Sequence, residues 1–408
     1  MKILHTSDWH LGRSLYSKKD RYDEHQAFLQ WLLEILRAKQ IDVLLIAGDI
    51  FDIAFPNNAS QKMYYDFLVS AIKTGCRHIV VTGGNHDSPS FLNAPKDVLS
   101  ALNVTVIGSI SDNPEDEIIT IRNTQGEPEA IICAVPFLRE RDISRFSEGE
   151  SYADRALRVN LGIKKHYAEI AELAEIKRRD AGKWIPVIAT GHLSVVGGLR
   201  GEDDGVRETY IGNIEALPPE IFPDTFDYVA LGHFHIPIAI RHNIRYCGSP
   251  IPMGFDEAAH PKLVFVIEFQ DDTEKMEINK VEIPVFQTLA SVKGNKQEIE
   301  TRLEELKKKN ESVWAEIIYT GDEIFPNLTD WVNQITEKSN IEVINIKNLK
   351  YIGGLLSRHE TNQKLEDLNE AEVFRKLLEK RQIPESQQQE LTALYNEILE
   401  SIKNPENL

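Results

Sequence analysis

The chain has 408 residues, with 46 Lys and Arg against 64 Asp and Glu, a formal net charge of −18, and 42% hydrophobic and 27% charged residues. That balance excludes a disordered tail protein and a disulfide-stapled miniprotein, and argues against a protein that coats nucleic acid by bulk charge. Cys76, Cys133 and Cys247 are scattered and form no C-x-x-C, the longest apolar runs are strand-length, and no secretory signal opens the sequence; a cytoplasmic, two- or three-domain protein without membrane contact is expected.

The first ~260 residues alternate short apolar strands with amphipathic helices, the pattern of a layered α/β domain. A strand at Ile3–His5 runs into Thr6-Ser7-Asp8-Trp9-His10. Helical spacing of Phe28, Leu29, Leu32, Leu33 and Leu36 predicts a helix over Tyr22–Lys39. Asp42–Ala47 reads as a buried strand ending in Gly48-Asp49, Ala59–Thr74 as a second helix, and His78–Thr82 as a strand ending in Gly83-Gly84-Asn85-His86-Asp87. A hairpin is expected around 123–126, and a charged helical region over 140–182. Pro186–Thr190 ends in Gly191-His192, Tyr228–Leu231 ends in Gly232-His233-Phe234-His235, and Leu263–Phe269 closes this part. From 276 to 348 the pattern becomes strand, helix, strand, helix, strand, with no histidine. A polar stretch follows, and then two apolar-striped helical segments opened by the capping boxes Asn369-x-x-Glu372 and Ser386-x-x-Gln389.

Five segments share one layout, an apolar strand followed by a polar residue able to bind metal: Asp8-x-His10, Gly48-Asp49, Gly84-Asn85-His86-Asp87, Gly191-His192 and Gly232-His233-x-His235. In open α/β sheets, sites form at the carboxyl ends of strands, so all five should meet on one rim. A glycine ahead of the ligand lets the backbone turn sharply and approach an ion closely. Asp8, His10, Asp49, Asn85, His192, His233 and His235 make seven candidate ligands of mixed imidazole and oxygen type, which suits Mn, Fe or Zn better than Ca. One ion takes about four to six ligands, so seven groups fit two ions sharing a carboxylate, a clamp for in-line displacement at phosphorus.

As a set, these segments resemble the five motifs of the calcineurin-like metallophosphoesterases. His5-Thr6-Ser7-Asp8-Trp9-His10-Leu11-Gly12, Ala47-Gly48-Asp49-Ile50-Phe51-Asp52, Thr190-Gly191-His192-Leu193 and Tyr246-Cys247-Gly248-Ser249-Pro250-Ile251-Pro252 are similar to the nuclease subunits of bacterial SbcCD complexes. The resemblance implies an α/β metallophosphoesterase core of mixed sheets flanked by helices over 1–275. It implies a small α/β capping domain over 276–350, a linker over 351–365 and a helical partner-binding segment over 366–408. It assigns Asp8, His10, Asp49 and His235 to one metal and Asp49, Asn85, His192 and His233 to the second, the ions being Mn(II). His86 would be the catalytic histidine, steadying the phosphate or protonating the leaving oxygen, with Asp87 orienting its imidazole. Asp52 stands where some archaeal relatives have a DNA-contacting histidine, and that role is not carried over.

The implied activity is a dimetal DNA endonuclease on single strands. With a coiled-coil ATPase of SbcC type bound to the C-terminal helices, it becomes an ATP-dependent double-strand exonuclease and hairpin nuclease in DNA repair, replication and recombination. The chain has no Walker A motif, so ATP dependence must come from that partner. The helix at 59–74 either packs as plain core or, as in the family, builds a homodimer within a heterotetramer. The alternative activity is a phosphatase or small-substrate phosphodiesterase on the same scaffold; the capping domain and helix pair speak against it. His5, His25, His78, His166, His242, His260 and His359 read as surface or packing residues, and 200–205 as a surface loop.

Overall fold

The computed structural model describes residues 1–143, 151–196, 217–270, 275–309, 311–321, 325, 327–348, 391, 392 and 395. The chain divides into two units, Met1–Lys347 and Asn348–Leu408. The expected C-terminal helices and the 200–205 loop lie outside the described residues.

The first unit is built on two six-stranded sheets. In the first, Lys2–Thr6, Val43–Ala47, His78–Thr82 and Val104–Ile107 run parallel, and Leu263–Phe269 pairs antiparallel with Lys2–Thr6. In the second, Pro128–Cys133, Val187–His192, Tyr228–Gly232 and Ile244–Tyr246 run parallel, flanked by antiparallel Ile118–Arg122 and Ile238–Ala239. The apolar runs of these central strands are buried on both faces, which is why they read as continuous rather than alternating. Ile3, Val43, Leu45 and Val80 of the first sheet pack with Ala130, Ile132, Ile188 and Ala230 of the second. The helices Tyr22–Lys39 and Asn58–Ile72 cover the outer face of the first sheet, and the 29-residue helix Tyr152–Asp180 covers the second. The result is a helix–sheet–sheet–helix sandwich, the mixed-sheet layering expected from the sequence.

Met276–Glu282 departs from the sequence reading. It pairs antiparallel with all of Leu263–Phe269 as the edge of the first sheet, so the small three-stranded sheet starts at Thr288 rather than at 276. The reason is the long register of seven facing pairs, which the alternation of 276–282 alone does not reveal. The small sheet has the order Thr288–Gly294, Val313–Tyr319, Ile341–Asn348 and carries the helices Lys296–Lys307 and Leu328–Thr336 over its own core. Asn295 and Glu298 form a reciprocal capping box at the first of these helices. Leu15 and Phe255 join Leu289 and Ile344 in a cluster that fastens this layer to the hairpin immediately after Asp8 and His10. Tyr16 Oη donates to Glu316 at 2.9 Å and Lys18 Nζ to the Ile344 carbonyl at 2.7 Å, reinforcing the seam.

Two histidines read as surface or packing residues prove fully buried. His5 faces Tyr228 Oη at 3.0 Å and the Leu231 carbonyl at 3.2 Å, and His25 Nε2 faces the Trp9 carbonyl at 3.0 Å. Burial pushes both pKa values from 6.5 down to about 3. The unfolded chain therefore binds more protons below pH 6.5, and stability falls as pH drops from 6.5 toward 3. At about 1.36 kcal/mol per pH unit for each group, the pair costs about 4 kcal/mol between pH 6.5 and pH 5. Urea unfolding in EDTA should show this acid limb, and His25→Gln should remove about half of it; an unchanged limb in the variant would refute the assignment.

Candidate metal centre

Three of the five motif segments leave the first sheet and two leave the second, all from carboxyl ends of parallel strands. The rim therefore spans both sheets. The loops after Lys2–Thr6 and Val43–Ala47 run side by side: the Asp8 N–H donates to Gly48 O, His10 to Asp49 O and Leu11 to Ile50 O, at 2.9–3.0 Å. Asp8, His10, Asp49 and His233 all sit at positive φ (53°, 47°, 50° and 102°), strained conformations that the surrounding bonds hold. At Gly84 a Cβ would lie 2.1 Å from Asp49 Oδ1, so only glycine allows that close approach.

The seven expected ligands come together. His10 Nε2 lies 3.2 Å from His235 Nε2 and 3.5 Å from Asp49 Oδ2. On the other side of that same oxygen, His192 Nε2 lies 3.2 Å from Asp49 Oδ2 and 3.0 Å from Asn85 Oδ1. Asn85 Oδ1 is in turn 3.2 Å from His233 Nδ1. Asp8 accepts the His233 N–H at 2.9 Å and the Ser7 hydroxyl. Asp8, His10 and His235 form one group of ligand atoms within 4.8 Å of one another; Asp8, Asp49 and His192 form another. The atoms thus fall into two nests that meet at Asp49.

The donor chemistry fits cations. His192 Nδ1 faces the Ala47 carbonyl at 3.0 Å, and His235 Nδ1 faces Glu257 Oε1 at 3.2 Å. An acceptor at the far nitrogen fixes the N–H there and leaves the lone pair of Nε2 turned inward. Lone pairs and carboxylates that converge without donors between them call for positive charge. Without it, the charge is supplied by protons. Burial opposes charge on His192, yet Asp49 and Asp8 raise its pKa to about 9. Burial and His192 push His233 down to about 4, and burial raises Asp8. A metal must displace the His192 proton to bind.

His86 is exposed at the edge of this cluster, with its ring 4.9 Å from that of His10. Its Nδ1 faces the Asp52 carbonyl at 2.8 Å, which leaves Nε2 as the ring nitrogen open to a substrate. Its backbone N–H donates to Asp49 Oδ1 at 2.9 Å. The expected pairing of Asp87 with this imidazole is corrected by the contacts. The Asp87 carboxylate is buried and accepts the backbone N–H groups of Gly84, Ile50 and Phe51 at 2.9–3.1 Å. Sequence adjacency puts Asp87 next to His86, but the turn sends its side chain inward, where unpaired N–H groups need an acceptor.

Three residues that support the site escape sequence reasoning: Asp52, Glu257 and Lys262. Asp52 holds His86 through its carbonyl, sets its own Oδ1 3.3 Å from His10 Nδ1 and pairs with Arg13 at 3.0 Å. Its place three residues after Asp49 is an available signal for that role. Glu257 and Lys262 carry no local signal at all.

Residues 1–237 match the calcineurin-like phosphoesterase family, and residues 285–382 match the family described as type 5 capsule protein repressor C-terminal domain. The chain is 37% identical over 411 aligned residues to the SbcD subunit of the nuclease SbcCD from Escherichia coli K12, covering 98% of each chain. It is 38% identical to the protein of that name from Rhodobacter capsulatus, over 66% of each chain. To the one from Bacillus subtilis it is 32% identical, over 67% of this chain and 68% of that one.

Proposed function

The chain belongs to the SbcD nucleases of the calcineurin-like phosphoesterase family, and from that premise we propose that its seven-residue cluster holds two divalent ions, manganese in the cell, and cleaves the phosphodiester backbone of DNA. It is a metal-dependent nuclease, a hydrolase of DNA. The reading of two ions is carried by one observation: Asp49 Oδ2 lies within 3.5 Å of His10 Nε2 on one side and 3.2 Å of His192 Nε2 on the other. Asp8, His10, Asp49 and His235 would hold one ion, and Asp49, Asn85, His192 and His233 the other. When bound, such a pair neutralises phosphate oxygens and makes water a stronger nucleophile at neutral pH.

The protein's own groups do the rest. The strained loops carrying Asp8, His10, Asp49 and His233 fix the ligand geometry before substrate arrives. The Ala47 and Asp52 carbonyls set the tautomers of His192 and His86. His86 Nε2, open at the exposed edge, contacts the phosphate and hands a proton to the departing sugar oxygen. The cluster is entered from the side of Asn85 and His86, its two exposed members.

The relatives' name makes this chain one subunit of a nuclease, and the reading extends to an SbcC-type coiled-coil ATPase held by residues 366–408. Deleting 366–408 should abolish capture of that ATPase in a size-exclusion co-elution assay while sparing manganese-dependent cutting of single strands; retained co-elution would refute the tail assignment. A homodimer is supported by the exposed Val69 of the helix Asn58–Ile72 and the exposed Val98 and Leu102 near the helix Lys96–Ser100, elements packed on the same face of the first sheet. Two such copies with two ATPase subunits make a cytoplasmic heterotetramer serving DNA repair, replication and recombination. Among the described residues no helix is long and apolar enough to cross a membrane.

The function is tested with purified protein alone on single-stranded and hairpin DNA in Mn, Mg or EDTA. Manganese-dependent cleavage abolished by EDTA is expected. Failure to cleave either DNA or bis-(p-nitrophenyl) phosphate in any metal would overturn the proposal.

A further inference from the structure

Behind His235 lies a buried polar assembly that takes no part in the reaction steps above. The imidazole Nδ1 faces Glu257 Oε1 at 3.2 Å. The other carboxylate oxygen, Glu257 Oε2, accepts Lys262 Nζ at 2.6 Å, the Met253 N–H at 3.0 Å and the Ser249 hydroxyl at 3.4 Å. Lys262 Nζ also donates to the His235 carbonyl at 2.8 Å and to Ser249 Oγ at 3.0 Å. The lysine is 6% exposed, and a cation is expensive to bury unless each of its protons has an acceptor, which here it does. We propose that Glu257, locked in place by Lys262, is the positioning residue of His235, and so sets the affinity of one of the two metal sites and not the other. This rests on the two-ion reading of the cluster.

Three features carry the inference. A carboxylate on the far nitrogen of a metal-binding imidazole fixes the ring plane and tautomer, and loss of such a partner costs about 10–100-fold in metal affinity. His192 has its own holder, the Ala47 carbonyl, so the second site does not depend on Glu257. The short helical turn Phe255–Glu257 that bears the carboxylate is also fixed from outside: Phe255 is buried with Leu15, Leu289 and Ile344, and Tyr16 stacks on it at 5.9 Å. Glu257 is therefore clamped at both ends, by Lys262 within and by the seam to the small sheet without. Since Lys262 grips both the carboxylate and the backbone of His235, the ligand's main chain and ring are held by one ammonium group.

Glu257→Gln keeps the size of the side chain but sets a carboxamide against Lys262. Glu257→Asp keeps the charge against Lys262 and withdraws it from His235. Calorimetric titration of the metal-free full chain with MnCl2, with EPR of the loaded protein, reads the two sites separately. The wild type should bind two ions that give a spin-coupled spectrum. Both variants should keep one ion at wild-type affinity and bind the other about 10–100-fold more weakly. At one equivalent of Mn they should show the six-line signal of an isolated ion. If Glu257→Gln fails to fold, Glu257→Asp alone decides the matter, because its buried ion pair survives. Two ions bound at wild-type affinity in the variants would overturn the proposal. Failure of the wild type itself to bind two ions would overturn the two-ion reading instead.

Discussion

Asp49→Asn should abolish nuclease activity, lowering it at least about 10³-fold, or about 4 kcal/mol of barrier, and should leave the metal-free protein at least as stable as the wild type. The two halves of that expectation come from the same geometry. Asp49 Oδ1 accepts the His86 N–H at 2.9 Å, and an asparagine carbonyl can keep that bond. Its amide nitrogen would then replace Oδ2, facing His192 Nε2 and His10 Nε2, and can donate where the carboxylate could only accept. The metal-free cluster loses a buried negative charge and gains donors, while both cation sites lose the one oxygen they share. Thermal unfolding with and without Mn checks this. Saturation at about 100 times the dissociation constant stabilises the wild type by about 2.7 kcal/mol per site, and that gain should vanish in the variant. A variant that still gains stability from Mn would show that Asp49 is not the shared ligand.

Much of this centre is legible in the sequence because its parts are local. Each ligand follows a buried strand within a few residues, and a glycine precedes Asp49, Asn85, His192 and His233. Strand ends therefore predict the rim, and Gly84 shows why: its missing Cβ makes room for Asp49. What escapes is non-local. Glu257 is 22 residues from His235, on a turn whose position depends on the packing of Phe255, and no spacing rule links the two. Asp87 misleads for the opposite reason, since neighbours in sequence need not face each other once a turn reverses the chain. Met276–Glu282 groups with the small domain by its pattern, yet a strand's sheet is chosen by its pairing partner, not by its own alternation. His5 and His25 show that an imidazole with backbone carbonyls or hydroxyls in reach can stay neutral inside a core, a fact invisible without the fold.

His86→Gln separates binding from chemistry. The variant should retain both ions, because the ring is not needed in either ligand set and the backbone N–H that steadies Asp49 remains. It should cleave DNA about 10²–10⁴-fold more slowly, the usual contribution of a positioned acid or base. The substrate decides which of its two tasks matters. A sugar alkoxide is a poor leaving group that needs a proton, whereas p-nitrophenolate departs without one. If His86 Nε2 supplies the proton, the loss on DNA should greatly exceed the loss on bis-(p-nitrophenyl) phosphate. Equal losses on both would assign His86 to steadying the phosphate, and wild-type turnover of DNA would remove it from the reaction. The geometry favours the proton: with Nδ1 tied to the Asp52 carbonyl at 2.8 Å, the ring is held in one orientation and Nε2 is its one remaining site for exchange with substrate. Releasing that tie without touching the imidazole is not possible by side-chain substitution, since the acceptor is main chain. The orientation of His86 is thus built into the same loop that carries Asp49, so the acid and the shared metal ligand are placed by one backbone segment.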